Sequence, residues 1–199
     1  MRLYIVRHGN REDTPSYYNE KLRHQDFPIT GEGEETALRL AEYFAAHPVK
    51  KLYVSEYLRA AQTAAPVAKR LGLTPAVDAR LNEIDNGIVE QLTDEEIMAR
   101  YPEFWRDFWS GQTDVRFPEG ETGEEVKSRQ ADLLRDLVTW DEDCLLVSHE
   151  GYIRLLLCHI LGLPVYRRRS FHIDFCGVTE LLYEKETGAW KVLRVNHTV

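Results

Sequence analysis

The chain has 199 residues, 43% hydrophobic and 29% charged, the balance of a globular protein that can build one core without disulfides or a metal. A formal net charge of −8 argues against a surface made for nucleic acid or an anionic membrane. The three cysteines (Cys144, Cys158 and Cys176) are scattered and form no CxxC pair, which points to a reducing cytoplasm, and no apolar run is long enough for a signal peptide or a membrane span.

In chain order, Leu3 to Val6 is a short apolar, β-branched run that ends at Arg7-His8-Gly9, so a buried strand running into a turn is expected. Residues 10–30 are polar and carry Pro15 and Pro28, which predicts a long loop. Thr30 is a candidate N-cap for a helix from about Glu32 to Ala46, with Leu38, Ala41 and Ala45 on its apolar face and Pro48 beyond its end. Lys51 to Val54 reads as a strand, and the alanine-rich stretch from Tyr57 to Leu71 as a helix stopped by Gly72. This βαβα order favours a parallel sheet covered by helices.

Further on, Thr93-Asp94-Glu95-Glu96 is a capping box opening a helical stretch through Phe104, Trp105, Phe108 and Trp109. Thr122-Gly123-Glu124-Glu125 is a second one, opening a helix whose apolar face carries Val126, Leu133, Leu134 and Leu137. Cys144 to Val147 reads as a strand entering a turn at Ser148-His149-Glu150-Gly151, followed by an apolar helix to about Leu161. Arg167-Arg168-Arg169 reads as a solvated loop face. The tail reads as an antiparallel hairpin, Val178 to Tyr183 and Trp190 to Val195, joined through Thr187-Gly188.

Two strands thus end in a histidine close to a glycine, His8 and His149. In open α/β sheets sites gather at the carboxyl ends of parallel strands, so the two imidazoles are expected to converge. Singly, the charged residues have plainer explanations. Arg7 and Arg59 read equally well as surface ion-pair partners, His149 as a structural histidine, and Glu83 as an acidic loop residue.

Four segments, in order and spanning most of the chain, resemble the histidine phosphatase superfamily, the phosphoglycerate-mutase-like enzymes. They are Leu3-Tyr4-Ile5-Val6-Arg7-His8-Gly9 with its RHG tripeptide, Val54-Ser55-Glu56-Tyr57-Leu58-Arg59-Ala60-Ala61-Gln62-Thr63-Ala64, Leu81-Asn82-Glu83-Ile84-Asp85-Asn86-Gly87, and Val147-Ser148-His149-Glu150-Gly151. The resemblance implies a three-layer α/β/α sandwich with a mostly parallel sheet, formed by residues 1–199 as a single domain with a small helical lid insertion at about 88–120. It implies His8 as nucleophile, Arg7, Arg59 and His149 around the phosphoryl oxygens, and Glu83 as the acid that protonates the leaving alcohol. The chemistry agrees: a phosphomonoester needs cations for its oxygens, an in-line nucleophile and a proton for the leaving oxygen.

Asn10 and Glu150 are further candidates for binding phosphate, and Arg11 or Arg23 for added positive charge. Phe104, Trp105, Trp109 and Phe117 are candidates for shaping the leaving-group side. The expected partner is a small phosphorylated substrate, with phosphate or sulfate able to occupy the site. No cofactor, metal, nucleic acid or membrane is called for, and a homodimer stays open. The remaining histidines lack metal-ligand spacing.

The leading reading is a metal-independent phosphatase working through phosphohistidine. A phosphoglycerate-type mutase is the alternative, set back because Thr14 stands where the mutase branch carries asparagine. A non-catalytic phosphate-binding or interaction domain is a second alternative, which the presence of every expected catalytic group speaks against.

Overall fold

The computed structural model describes residues 1–199. In chain order the strands are β1 (Arg2–Arg7), β2 (Tyr17–Asn19), β3 (His24–Asp26), β4 (Lys51–Val54), β5 (Ala76–Val77), β6 (Cys144–Ser148), β7 (Val178–Glu184) and β8 (Ala189–His197). The helices are α1 (Gly31–Ala46), α2 (Leu58–Leu71), α3 (Asp94–Arg100), α4 (Pro102–Ser110), α5 (Gly123–Trp140) and α6 (Glu150–Leu161).

Six strands form one sheet in the order β5-β4-β6-β1-β7-β8. The first four run parallel, whereas β7 is antiparallel to both β1 and β8. β1 and β6 lie in the middle, which is why both are nearly continuous apolar runs rather than alternating ones. Leu3, Ile5, Cys144 and Leu146 point to one face, into a core with Leu133 and Leu137 of α5 and Ile153 and Leu156 of α6. Tyr4, Val6, Leu145 and Val147 point to the other, where Leu40 and Phe44 of α1 meet Ala64 and Val67 of α2. The result is an α/β/α sandwich of three layers. No helix is long and apolar enough to cross a membrane.

Several local expectations are refined. The buried face of α1 is Ala37, Leu40, Ala41 and Phe44, and Leu38 is exposed, so the stripe lies one residue off the expected face. The aromatic helical stretch is two helices, because Pro102 disfavours helical geometry at Tyr101, which leaves it at φ −132° and ψ 57°. Residues 10–30 are not simply a loop: β2 and β3 pair as a short antiparallel hairpin, closed at its base by an Arg11–Ile29 bridge. The arginine triplet is a solvated face only in part, with Arg167 and Arg169 exposed. Arg168 is buried beside Asp114, and Arg169 stacks over the rings of Phe108 and Trp109.

The sheet positions the site through register. Arg7 is aligned with Ser148 across the β1–β6 pair, so the residues that follow, His8 and His149, leave adjoining strands side by side.

Candidate active site

His8 and His149 are both buried, with ring centroids 5.2 Å apart. The Nδ1 of His8 lies 2.8 Å from the carbonyl oxygen of Gly9. A carbonyl only accepts, so Nδ1 carries the proton and the lone pair sits on Nε2. Burial and the neighbouring Arg59 push the pKa of His8 well below 6.5, so the ring is neutral at physiological pH. The turn that aims it is tightly built. Thr63 accepts the Gly9 N–H at 2.8 Å, and the Gly9 backbone runs so close to Gly33 of α1 that a Cβ on Gly33 would stand 2.3 Å from the Asn10 carbonyl oxygen.

His149 is held at both ring nitrogens. Arg59 Nη2 donates to Nδ1 at 3.2 Å, which places the ring proton on Nε2, 2.8 Å from Ser55 Oγ. Burial and Arg59 keep this ring neutral as well, its pKa well below 6.5.

Arg59 is buried at the first turn of α2. Its Nη1 pairs with Asp26 at 3.1 Å, and its guanidinium carbon lies 4.2 Å from the centre of the Tyr57 ring. Asp26, wholly buried in β3, also accepts from the backbone N–H of Leu58 and from Asn19, which ties the hairpin to the start of α2. Arg7 donates to the Ile173 carbonyl at 2.6 Å, lies 3.9 Å over Phe175 and pairs with Glu150 at 3.2 Å. The Nε–H groups of Arg7, Arg59 and Arg154 (which shares Glu150 with Arg7) are buried without an acceptor in the protein. The cluster holds more donors than its own carboxylates use, the reverse of the normal state of buried polar groups.

Glu83 reaches the same group from the segment between β5 and α3. Its carboxylate accepts from the backbone N–H groups of Ile84 at 2.9 Å, Tyr152 at 2.8 Å and Gly151 at 3.1 Å, the last two at the N-terminal turn of α6. Burial raises its pKa above the ordinary 4.5, and these amides with Arg59 hold the rise in check. A Cβ on Gly151 would come within 2.7 Å of Glu83 Oε1, so only glycine there leaves room for the carboxylate. Arg129 supports the segment through the carbonyls of Arg80 and Glu83. Beside Glu83 and Tyr57 lies a cavity of about 680 Å³, walled by residues 22–27 of the hairpin region, residues 79–91, Glu121 and Arg129.

The structure therefore brings Arg7, His8, Arg59, Glu83 and His149 to one place. Asn10 and Glu150 sit at its edge. The Asn10 amide donates to Glu32 at 3.1 Å, and its carbonyl anchors Thr30. The Glu150 carboxylate, an acceptor only, holds Arg7 and Arg154, so phosphate binding by that side chain is corrected to positioning of cations. The aromatic expectation is corrected too: Phe104, Trp105, Trp109 and Phe117 are absent from the cavity wall. Phe104 and Phe117 pack on the core beneath α5 and α6, and Trp109 is largely exposed. Arg11 stacks over Phe27 at the hairpin base.

The residues that sequence reasoning missed are Asp26, Ser55, Tyr57 and Thr63. Ser55, Tyr57 and Thr63 lie within the motif around Arg59. Asp26 carries no signal beyond being the one acidic residue next to Phe27 and Pro28, because its role is defined by contacts with residues 32 and 33 positions away.

A parallel-centred sheet with two neutral histidines at adjoining strand ends, surplus guanidinium donors and a carboxyl of raised pKa defines an α/β enzyme that handles phosphoryl groups on histidine. The chain belongs to the histidine phosphatase superfamily (branch 1), whose family model matches residues 3–198. It is 33% identical over 196 residues to the protein of Enterobacter sp. (strain 638) named probable phosphoglycerate mutase GpmB, covering 93% of this chain and 86% of that one. Among solved structures, it is similar to mycobacterial glucosyl-3-phosphoglycerate phosphatase in complex with inorganic phosphate, with 25% identity, a TM-score of 0.82, and 99% and 97% of the two chains covered. The putative α-ribazole-5'-P phosphatase of Escherichia coli K-12 superposes with a TM-score of 0.83 over 100% and 97% of the chains at 22% identity, a likeness of fold.

Proposed function

We propose that the protein is a phosphomonoesterase that hydrolyses small phosphate esters through a phosphohistidine on His8. The observation that carries this reading is the Nδ1–H···O=C bond of His8 to Gly9, which leaves a neutral Nε2 lone pair among unpaired guanidinium donors. Arg7 and Arg59 hold the phosphoryl oxygens, and their stabilisation grows as charge accumulates there in the transition state. His149 adds a donor when its proton moves to Nδ1, a change that requires Arg59 Nη2 to release that nitrogen and turn to the phosphoryl oxygens. Ser55 suits either tautomer, since a hydroxyl accepts from Nε2–H or donates to a bare Nε2.

In the first step the Nε2 lone pair forms the N–P bond while the bond from phosphorus to the leaving oxygen breaks, and Glu83 gives that oxygen its proton. In the second, water attacks phosphorus, its proton passes to Glu83, and the N–P bond opens to return the lone pair to Nε2. A raised pKa lets Glu83 hold the proton needed for the first step.

A mutase would use the same phosphohistidine and return the group to the substrate, and the naming of the Enterobacter relative favours that reading. The glucosyl-3-phosphoglycerate phosphatase neighbour favours hydrolysis. Glu90 and Gln91 in the cavity wall support reading residues 88–120 as a lid within one domain. Three buried free cysteines suit a cytoplasmic setting.

The test is a rapid quench with labelled substrate. The wild type is expected to carry an acid-labile, base-stable phosphoryl group and to release free phosphate. His8→Ala is expected to lose the label and at least about a thousandfold in turnover. Normal turnover in that variant rejects the mechanism, and isomerised product without free phosphate makes the protein a mutase.

A further inference from the structure

We infer that the alcohol released by this enzyme is uncharged and hydroxyl-rich, and that esters whose leaving group carries a carboxylate are poor substrates. The inference rests on the phosphatase reading and concerns the cavity beside Glu83. If Glu83 delivers the proton, the leaving oxygen stands at the carboxyl group, and the rest of the alcohol extends into the space that Glu83 lines.

That space has a definite sign. Four acidic side chains face it, Glu83, Asp85, Glu90 and Glu121, beside Arg129 and the ring of His24; with Glu83 protonated for its acid role and Glu121 paired with Arg129, the charges that remain are those of Asp85 and Glu90. Arg129 is already committed to a carboxylate. It binds both oxygens of Glu121, at 3.2 Å through Nε and 3.1 Å through Nη2, and gives two further N–H groups to the carbonyls of Arg80 and Glu83, which leaves one Nη1–H. Asp85 is anchored by the Gly87 N–H at 2.8 Å and Glu90 by the Asn86 amide at 3.0 Å, neutral partners that leave their charges in place. The arginines of the phosphoryl site are turned elsewhere, Arg59 onto Asp26 and Arg7 onto Glu150. A leaving-group carboxylate entering here meets the like charges of Asp85 and Glu90, while Arg59 and Arg129 are already paired with carboxylates of their own.

The same wall suits hydroxyl groups. Carboxylates accept from them, and the amides of Gln25 and Gln91 both donate and accept. Phe27 and Tyr57 supply apolar faces for the carbon side of a polyol. A volume of about 680 Å³ is in the range of pockets for whole small molecules, more than a three-carbon acid needs.

The experiment compares kcat/KM for four esters on the wild-type enzyme: p-nitrophenyl phosphate as a reference, ribose 5-phosphate, 3-phosphoglycerate and phosphoethanolamine. Ribose 5-phosphate is expected to exceed 3-phosphoglycerate by about tenfold, the effect of two solvent-screened like charges a few ångströms away. The double variant Asp85→Asn, Glu90→Gln is expected to raise the ratio of kcat/KM for 3-phosphoglycerate to that for p-nitrophenyl phosphate about three- to tenfold. Parity of 3-phosphoglycerate with ribose 5-phosphate, or no gain in the double variant, overturns the inference and leaves the phosphatase reading intact. A clear preference for phosphoethanolamine overturns it in favour of a cationic alcohol. Absence of phosphate release from all four esters, the aryl one included, removes the phosphatase reading and this inference together.

Discussion

Glu83 and His8 have pKa shifts of opposite sign, and that difference sets the pH range in which both are in their working forms. His8 must be neutral to attack, and its pKa is displaced well below 6.5 by burial and Arg59, so it limits the rate only in distinctly acid solution. Glu83 must be protonated to serve the leaving oxygen, and burial raises its pKa above 4.5, so the rate with alkyl esters falls as pH rises through that raised value. The rate is therefore limited by His8 on the acid side and by Glu83 on the alkaline side. Glu83→Gln is expected to cost roughly a hundred- to ten-thousandfold with alkyl phosphates and to remove the high-pH limb, with a smaller loss for p-nitrophenyl phosphate, whose leaving group needs no proton. pH–rate profiles of wild type and variant on both ester types check this. Equal losses on the two would take the acid role away from Glu83.

At the scale of elements, α6 does two jobs from one turn. Its N-terminal amides bind Glu83, and Gly151 leaves the gap into which the carboxylate fits. Gly151→Ala therefore sets helix propensity against site geometry. Alanine favours the helix by about 1 kcal/mol, yet its Cβ displaces Oε1. The expected outcome is an unchanged or higher melting temperature by circular dichroism together with a kcat lower by about ten- to a hundredfold on alkyl esters. An unaltered kcat would show that the gap is not needed. The β2–β3 hairpin has a parallel role: through Asp26 it holds both the first turn of α2 and the Arg59 guanidinium, so a segment that looks like a connector fixes a phosphate-facing cation.

For the whole molecule, burying two neutral imidazoles links stability to pH. Both His8 and His149 bind a proton in the unfolded chain near pH 6.5 but resist it in the native state until well below that. Their contribution is complete above about pH 6.5 and is lost as pH falls toward the native values, at about 1.4 kcal/mol per pH unit for each ring. Glu83 has the opposite sign: its raised native pKa favours the folded state below about 4.5 and less as pH climbs through the native value. Urea unfolding between pH 7 and 5.5 is expected to show a loss of stability on acidification, to which the partly buried His159 also adds, and His8→Asn is expected to reduce it by about a third to a half. Equal slopes in the two proteins would mean that the ring is not buried as a neutral base.

The sequence by itself determined most of the central sheet, the helices that cover it and the two strand-end histidines, while Arg7, Arg59 and Glu83 were legible only through the resemblance of their motifs to a family. Apolar period, capping boxes and strand-end histidines are local signals, and local signals survive in one dimension. The break at Tyr101-Pro102 was also written there, in the residue that precedes proline. What only the tertiary structure decided are matters of contact between distant segments. Asp26 meets Arg59 across 33 positions, Ser55 meets His149 across 94, and Glu83 meets the start of α6 across 68. The same holds for Glu150, which the sequence places beside the histidine and the fold turns onto Arg7 as a counter-ion. It holds for the aromatic residues of α4, which hydrophobic packing draws onto the core and its surface instead of the cavity. A side chain's partner depends on which segments the sheet order brings together, and that order is fixed by the burial of the two cores as a whole.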